Sequence, residues 1–119
     1  MQQTQTYRER SKVFLTKAWD ELESGDLEQA SEKRWGAGAM MIKAIGQQRG
    51  WEHHGHSQLL AIIRRLGQEP DGETVALLFL NADALHRNFY EDHLPAAAVR
   101  HTLAGVAEFV DKMDSLLDS

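Results

Sequence analysis

Residues that can pack in a core recur at three- and four-residue steps along most of this chain, which is the spacing of one face of an α-helix. The first such face comprises Tyr7, Ser11, Phe14, Ala18 and Leu22. Composition agrees with this pattern, since 14 alanines and 14 leucines stand against 14 valines, isoleucines and threonines taken together. Because β-branched residues favour strands, whereas alanine and leucine favour helices, the sequence predicts an all-α fold.

Glycine and a short polar residue mark the boundary between the first two helices. Gly25 predicts the end of the first helix, because glycine readily adopts the left-handed conformation found there. Asp26, three residues before Gln29, predicts the cap of a second helix that runs from residue 27 to about residue 49. A break this short makes the two helices antiparallel neighbours.

Three further breaks divide the rest of the chain. We predict a loop over residues 50–55, a third helix capped by Ser57 and a turn over residues 68–72. The fourth helix, over residues 75–89, has the most regular apolar stripe, and Pro95 separates it from a fifth. The predicted architecture is therefore an antiparallel up-and-down bundle of about five helices.

Two glycines interrupt the second predicted helix. Gly36 and Gly38 each cost about 1 kcal/mol relative to alanine inside a helix. The compensation we expect is the close approach of another helix around residues 35–39.

The chain is short enough to form one domain over residues 1–119, in which we expect residues 1–6 to be flexible. Its lack of cysteine excludes disulfides, thiolate catalysis and zinc–thiolate sites. Its start is polar, and no window approaches the roughly 18 apolar residues of a membrane span. These features predict a cytoplasmic protein that does not contact membranes.

The formal charge of −5 is unevenly distributed. Residues 1–30 sum to −2, residues 31–65 to +4 and residues 66–119 to −7. The acidic total argues against a protein that coats nucleic acid, whereas the basic middle would attract one anionic ligand. The alternative is that this basic block simply packs against the acidic carboxy-terminal third.

A pair of residues suited to RNA cleavage lies at the end of the fourth predicted helix. Arg87 is followed by the polar Asn88 and, after four more residues, by His93. Histidine can exchange the protons of a 2′-hydroxyl attack, and arginine can hold the scissile phosphate, so this chemistry requires no metal. The alternative is structural: Arg87 pairs with Glu91 on the surface, and His93 is a cation at a helix end.

The motif Arg87-Asn88-Phe89-Tyr90-Glu91-Asp92-His93 resembles that of the HEPN superfamily of helical bundles, as do residues 32–53 and 85–91. The resemblance implies a metal-independent endoribonuclease in which His93 is the acid–base group, Arg87 holds the phosphate and Asn88 positions the substrate. It also implies a homodimer whose two protomers line one RNA cleft, and a nucleotidyltransferase as a possible antitoxin partner. The alternative function is a non-catalytic module that binds a nucleotide or a partner protein.

Residues of the basic middle are the candidate contacts to RNA or a nucleotide: Lys43, Arg49, Trp51, His53 and His56. Tryptophan stacks on bases, although Trp51 at a loop boundary also fits a core or dimer-contact position. A site for zinc or a similar ion, formed by His53 and His56 with Glu52 or another carboxylate, is a weaker alternative, because the spacing lacks a rigid helical pair of ligands. We therefore predict neither a metal nor a cofactor.

Overall fold

The computed structural model describes residues 2–70, 72–79 and 96–118. The described residues form helices and short connections without a strand, which confirms the prediction of an all-α bundle. No helix among them is long and apolar enough to cross a membrane. The helical segments are α1 (Gln2–Glu23), α2 (Leu27–Arg49), α3 (His56–Gly67), α4 (72–79 in the described part) and α5 (Ala96–Leu117).

The tight turn between α1 and α2 forms as the sequence predicts. Gly25 has a positive φ of 87°, which few other residues adopt without strain. The Asp26 carboxylate then accepts a hydrogen bond of 3.1 Å from the backbone N–H of Gln29. The Gln29 side chain accepts from Lys33 instead of returning to the cap, so the cap is one-sided. This turn folds α1 onto α2, and they form the most extensive helix pair among the described elements.

One helix start differs from its prediction. The cap of α3 is Gly55, with φ 80° and no side-chain hydrogen bond, so the prediction that Ser57 caps this helix is wrong. A glycine accommodates the positive φ that turns the chain into α3, and Ser57 follows inside the helix. α1 begins at Gln2, and the flexibility expected of residues 1–6 stays a prediction. Thr4 is buried one turn before Tyr7, so the buried face continues through residues whose polarity concealed it.

α2 is the central helix of the bundle and is buried on most of its sides. The close approach predicted around its glycines is confirmed at Gly36, where a β-carbon would lie 3.1 Å from Cδ2 of Phe14 on α1. At Gly38 a β-carbon would be in ordinary contact, 3.9 Å from Cε2 of Phe109 on α5. Gly36 therefore lets α1 and α2 pack closely.

Buried apolar side chains form two clusters. The larger joins α2 to α3, α4 and α5, with Tyr7 from α1 at its edge. The smaller lies near the α1–α2 turn and consists of Ala18, Leu22, Ala30, Val99 and Leu103. Together they fix the ends of α2 and α3, from which the candidate site is built.

Ion pairs among the described residues connect the acidic α5 mainly to α1. Arg8 binds Asp114 at 2.8 Å and Asp118 at 3.1 Å, and Lys12 lies 3.4 Å from Asp114. By contrast, the basic middle of the chain meets the acidic third in one described pair, Arg49 with Glu69. Among the described residues, the basic block is therefore not neutralised by packing against α5.

Candidate functional site

The carboxyl end of α2 turns the chain so that Trp51 lies beside the end of the helix. Gly50 adopts the left-handed conformation, with φ 74° and ψ 23°. The backbone N–H of Trp51 then donates a 2.8 Å hydrogen bond back to the carbonyl of Gly46. This six-to-one bond is the pattern of a glycine-terminated helix. It positions the indole ring next to the last residue of α2, Arg49.

Two arginines lie over the indole of Trp51. The guanidinium carbon of Arg49 is 5.2 Å from the ring centre. That of Arg65, near the end of α3, is 4.8 Å away. Both distances are within the range of cation–π attraction. We call Arg49, Trp51 and Arg65 the Trp51 cluster.

The two arginines of the Trp51 cluster differ in their ionic partners. Arg49 donates through Nη1 to Oε2 of Glu69 at 2.5 Å, so its charge is largely compensated. Arg65 is exposed and forms no ion pair with the described residues. Arg65 therefore keeps an available positive charge over the Trp51 ring.

An open groove of about 340 Å³ lies beside the Trp51 cluster. Its volume falls within the range of small-ligand pockets, about 300–1,000 Å³. The Gln58 amide donates to Glu52 at 3.0 Å and accepts from the backbone N–H of His54 at 2.7 Å. The groove thus combines an aromatic face, a cation and hydrogen-bonding side chains, and its lining is Gly50, Trp51, Glu52, Gln58, Ala61, Ile62 and Arg65.

His53 does not line this groove. Its side chain is buried, and Nδ1 lies 2.8 Å from the carbonyl oxygen of Trp51. Because a carbonyl only accepts, Nδ1 carries the proton of this hydrogen bond. The ring also meets Tyr7 edge-on at 5.8 Å, and Gly46 leaves the space that it occupies. His53 anchors the loop to the core, and the structure gives it no contact with the groove.

The other predicted contacts are dispersed. His56 is exposed, its ring centre lies 5.4 Å from that of Trp35 at a tilt of 37°, and it does not line the groove beside Trp51. Lys43 is half-buried on α2, six residues before Arg49, and residues six apart point about 120° away from each other on a helix. Of the five predicted residues, the structure therefore brings Arg49 and Trp51 together.

Sequence reasoning missed Arg65 and Gln58. Arg65 contributes to the basic charge of residues 31–65, but it is 14 positions from Trp51 along the chain. Only the packing of α3 against α2 makes the two residues neighbours. The predicted cleavage residues Arg87, Asn88 and His93 lie outside the described residues.

The zinc alternative finds no support in the described part of the chain. There, no three metal-binding side chains gather at one point. The ring centres of His53 and His54 lie 4.4 Å apart with the planes tilted by 38°, and Nδ1 of His53 is already engaged with a carbonyl.

Comparison with known proteins gives one positive finding. A family model described as the archaeal PaREP1/PaREP8 family matches residues 6–110, which is most of the chain. Neither the curated proteins nor the solved structures compared with the chain give a match.

Proposed function

The chain belongs to the archaeal PaREP1/PaREP8 family, and we propose that it is a HEPN-like protein that binds and cleaves RNA. The observation that carries the proposal is the Trp51 cluster, in which two arginines lie over one indole beside an open groove. The segment matched by the family model, residues 6–110, also contains the sequence motif from Arg87 to His93.

The Trp51 cluster can contact both parts of single-stranded RNA, its bases and its phosphates. A base stacks on the exposed part of the indole. In proteins that bind single-stranded nucleic acid, such stacking contributes about 1–3 kcal/mol per base to the binding free energy. Arg65 binds the neighbouring phosphate, since its guanidinium has no carboxylate partner among the described residues. Gln58 and Glu52 add an amide and a carboxylate that can hydrogen-bond to the edge of a base. The groove therefore suits an unpaired, splayed-out nucleotide.

The charge distribution supports selective binding over general coating of nucleic acid. The chain carries −5 overall, and its carboxy-terminal third carries −7. A long duplex would meet this acidic surface, whereas a short single strand contacts the basic middle alone. We therefore assign single-stranded RNA as the substrate class.

The cleavage step follows from the residue types of the sequence motif. His93 removes the proton of a 2′-hydroxyl, whose oxygen attacks the adjacent phosphorus, while Arg87 holds the phosphate oxygens and Asn88 positions them. The bond from phosphorus to the 5′-oxygen breaks, and that oxygen takes up a proton. The products are a 2′,3′-cyclic phosphate and a free 5′-hydroxyl, formed without a metal ion. In the HEPN resemblance two protomers share this cleft, so the proposal includes a homodimer.

The second candidate function is a non-catalytic module that binds nucleotides, for example as the companion of a nucleotidyltransferase. The groove beside Trp51 favours it, because an aromatic ring with a free arginine is sufficient for nucleotide binding without any cleavage residue. The two functions differ in turnover: both predict binding at the Trp51 cluster, and only the first predicts cleaved RNA.

Binding at the Trp51 cluster is tested with the pair Arg65→Ala and Arg64→Ala. Both arginines are exposed near the end of α3 and carry the same charge, but only Arg65 lies over the Trp51 ring. We expect Arg65→Ala to weaken the binding of a labelled single-stranded RNA about tenfold, as measured by fluorescence anisotropy, and Arg64→Ala to bind like the wild type. Equal losses of RNA affinity in the two variants would show that only the net charge matters, and would contradict the proposal.

A further inference from the structure

Arg34 is a charged residue in the middle of the bundle. It lies on α2, and its side chain is 1% exposed. Burial removes its hydration and lowers the pKa of its guanidinium to about 10. Fully buried arginines are rare unless an acceptor balances them.

The guanidinium of Arg34 has no such acceptor among the described residues. Neither Nη1 nor Nη2 has a hydrogen-bond partner there. The hydroxyl of Ser31, three positions earlier on α2, is also buried without a partner. Residues three apart lie on the same side of a helix, so unused donors concentrate on one part of α2. A buried donor without a partner is costly, which is why such groups in proteins usually meet a ligand, an ion or water.

A narrow cavity of about 10 Å³ opens beside Arg34, between α2, α4 and α5. This volume holds roughly one water-sized group. Among the described residues that line it, the side chains other than Arg34 carry no oxygen acceptor, so these residues place one cation in an apolar wall. The lining is Arg34, Trp35, Gly38, Phe79, Val106 and Phe109.

We propose that Arg34 binds one oxygen of a small oxyanion, a carboxylate or a phosphate, and that this oxygen enters the cavity between α2, α4 and α5. Nη1 and Nη2 both lack a partner among the described residues, so both can donate a hydrogen bond to that oxygen. The cavity admits only this one oxygen, so the rest of the ligand stays at the mouth, where Trp35 is half-buried. This site shares no lining residue with the groove beside Trp51 and does not depend on RNA binding.

The test measures thermal unfolding of the full chain in increasing sodium phosphate or sodium acetate, against sodium chloride at matched ionic strength. In the wild type we expect phosphate or acetate to raise the Tm in a saturable way beyond the effect of chloride. Arg34→Met, which removes the charge and keeps the length, should lose this rise. Arg64→Met, which removes an exposed arginine, should keep it. A response to acetate alone identifies a carboxylate ligand, and a response to phosphate alone identifies a phosphate.

Gly38→Ala tests the same site with the arginine intact. Its β-carbon would lie in ordinary contact, 3.9 Å from Cε2 of Phe109. Because Gly38 lines the cavity, this carbon would take up part of its space. We expect a folded protein whose Tm no longer responds to the oxyanion. A wild type that responds equally to chloride, or not at all, overturns the proposal. An unchanged response in both Arg34→Met and Gly38→Ala overturns it as well.

Discussion

The guanidinium carbon of Arg65 lies 4.8 Å from the centre of the Trp51 ring, although 14 positions separate the two residues along the chain. The contact joins α3 to the loop after α2. It places an arginine without a described carboxylate partner beside an aromatic face and an open groove. An unpaired nucleotide needs both groups, one for its base and one for its phosphate.

The roles of Arg65 and Trp51 can be separated by salt. If Arg65 neutralises one phosphate, Arg65→Ala lowers the slope of log affinity against log salt concentration by about 0.7 for single-stranded RNA. Trp51→Ala weakens binding without changing the slope, because stacking releases no counterions. Binding titrations over a series of salt concentrations measure both. A changed slope in Trp51→Ala, or an unchanged one in Arg65→Ala, would contradict these roles.

His53 is expected to support the fold and not the ligand. His53→Ala removes a buried ring and its hydrogen bond to Trp51, and should lower the free energy of unfolding by about 1–3 kcal/mol. The exposed neighbour His54 is the control, and His54→Ala should change stability by less than about 0.5 kcal/mol. Urea unfolding measures both variants. Folded His53→Ala should bind RNA with an affinity close to that of the wild type. A loss of RNA affinity without a loss of stability would show that His53 belongs to the binding site.

Gly46 and Gly38 should respond oppositely to alanine. A β-carbon at position 46 would lie 2.7 Å from Cβ of His53 and 2.8 Å from Cδ1 of Ile62, so Gly46→Ala should destabilise the fold by about 1–3 kcal/mol. Gly38→Ala meets only an ordinary contact and should gain up to about 1 kcal/mol from helix propensity. Chemical denaturation of the two variants measures the difference. Equal stability would show that α2, α3 and the loop do not pack this closely at Gly46.

The lowered pKa of Arg34 predicts a pH dependence of stability in low-anion buffer. Folding lowers its pKa from the ordinary value of an arginine to about 10, so above about pH 10 the unfolded chain binds more protons than the folded chain. The contribution of Arg34 to the free energy of unfolding therefore rises with pH above about 10. Below that pH the full cost of burying the charged guanidinium is present. Arg34→Met, which lacks the buried charge, should be at least as stable as the wild type near neutrality.

Measuring urea unfolding of both proteins from pH 8 upward, about two units below the folded pKa, compares them directly. The stability advantage of Arg34→Met should shrink as the pH passes 10. An advantage that stays constant, or a variant that is strongly destabilised at neutral pH, would show that Arg34 is already neutralised within the fold.

Local backbone chemistry explains which parts of the fold can be predicted from the sequence. Gly25, Asp26 and Gly50 act on their own neighbours in the chain, so the end of α1 and both ends of α2 are predictable. Ser57 shows where this reasoning stops. The residue types of both Ser57 and Gly55 suit a helix cap, and the entry angle of α3 selects Gly55.

The site depends on tertiary packing, which periodicity does not reveal. Periodicity leaves open whether Arg34 or Trp35 faces the core, and the structure buries Arg34 while leaving Trp35 half-buried. In the same way, the sequence does not distinguish which loop histidine is buried. In the structure His53 is the loop histidine that enters the space left by Gly46. The groove residues Arg65 and Trp51 become neighbours only when α3 packs on α2.

The proposed RNA cleavage is tested most directly by incubating the purified full chain with single-stranded RNA in EDTA and identifying the ends of the products. The wild type should release fragments with 2′,3′-cyclic phosphate and 5′-hydroxyl ends, and Arg64→Ala should do the same. Arg87→Ala and His93→Ala should release none while keeping the wild-type circular dichroism spectrum. Undiminished cleavage by both of these variants, or a wild type that binds RNA at the Trp51 cluster without cleaving it, would contradict the ribonuclease function.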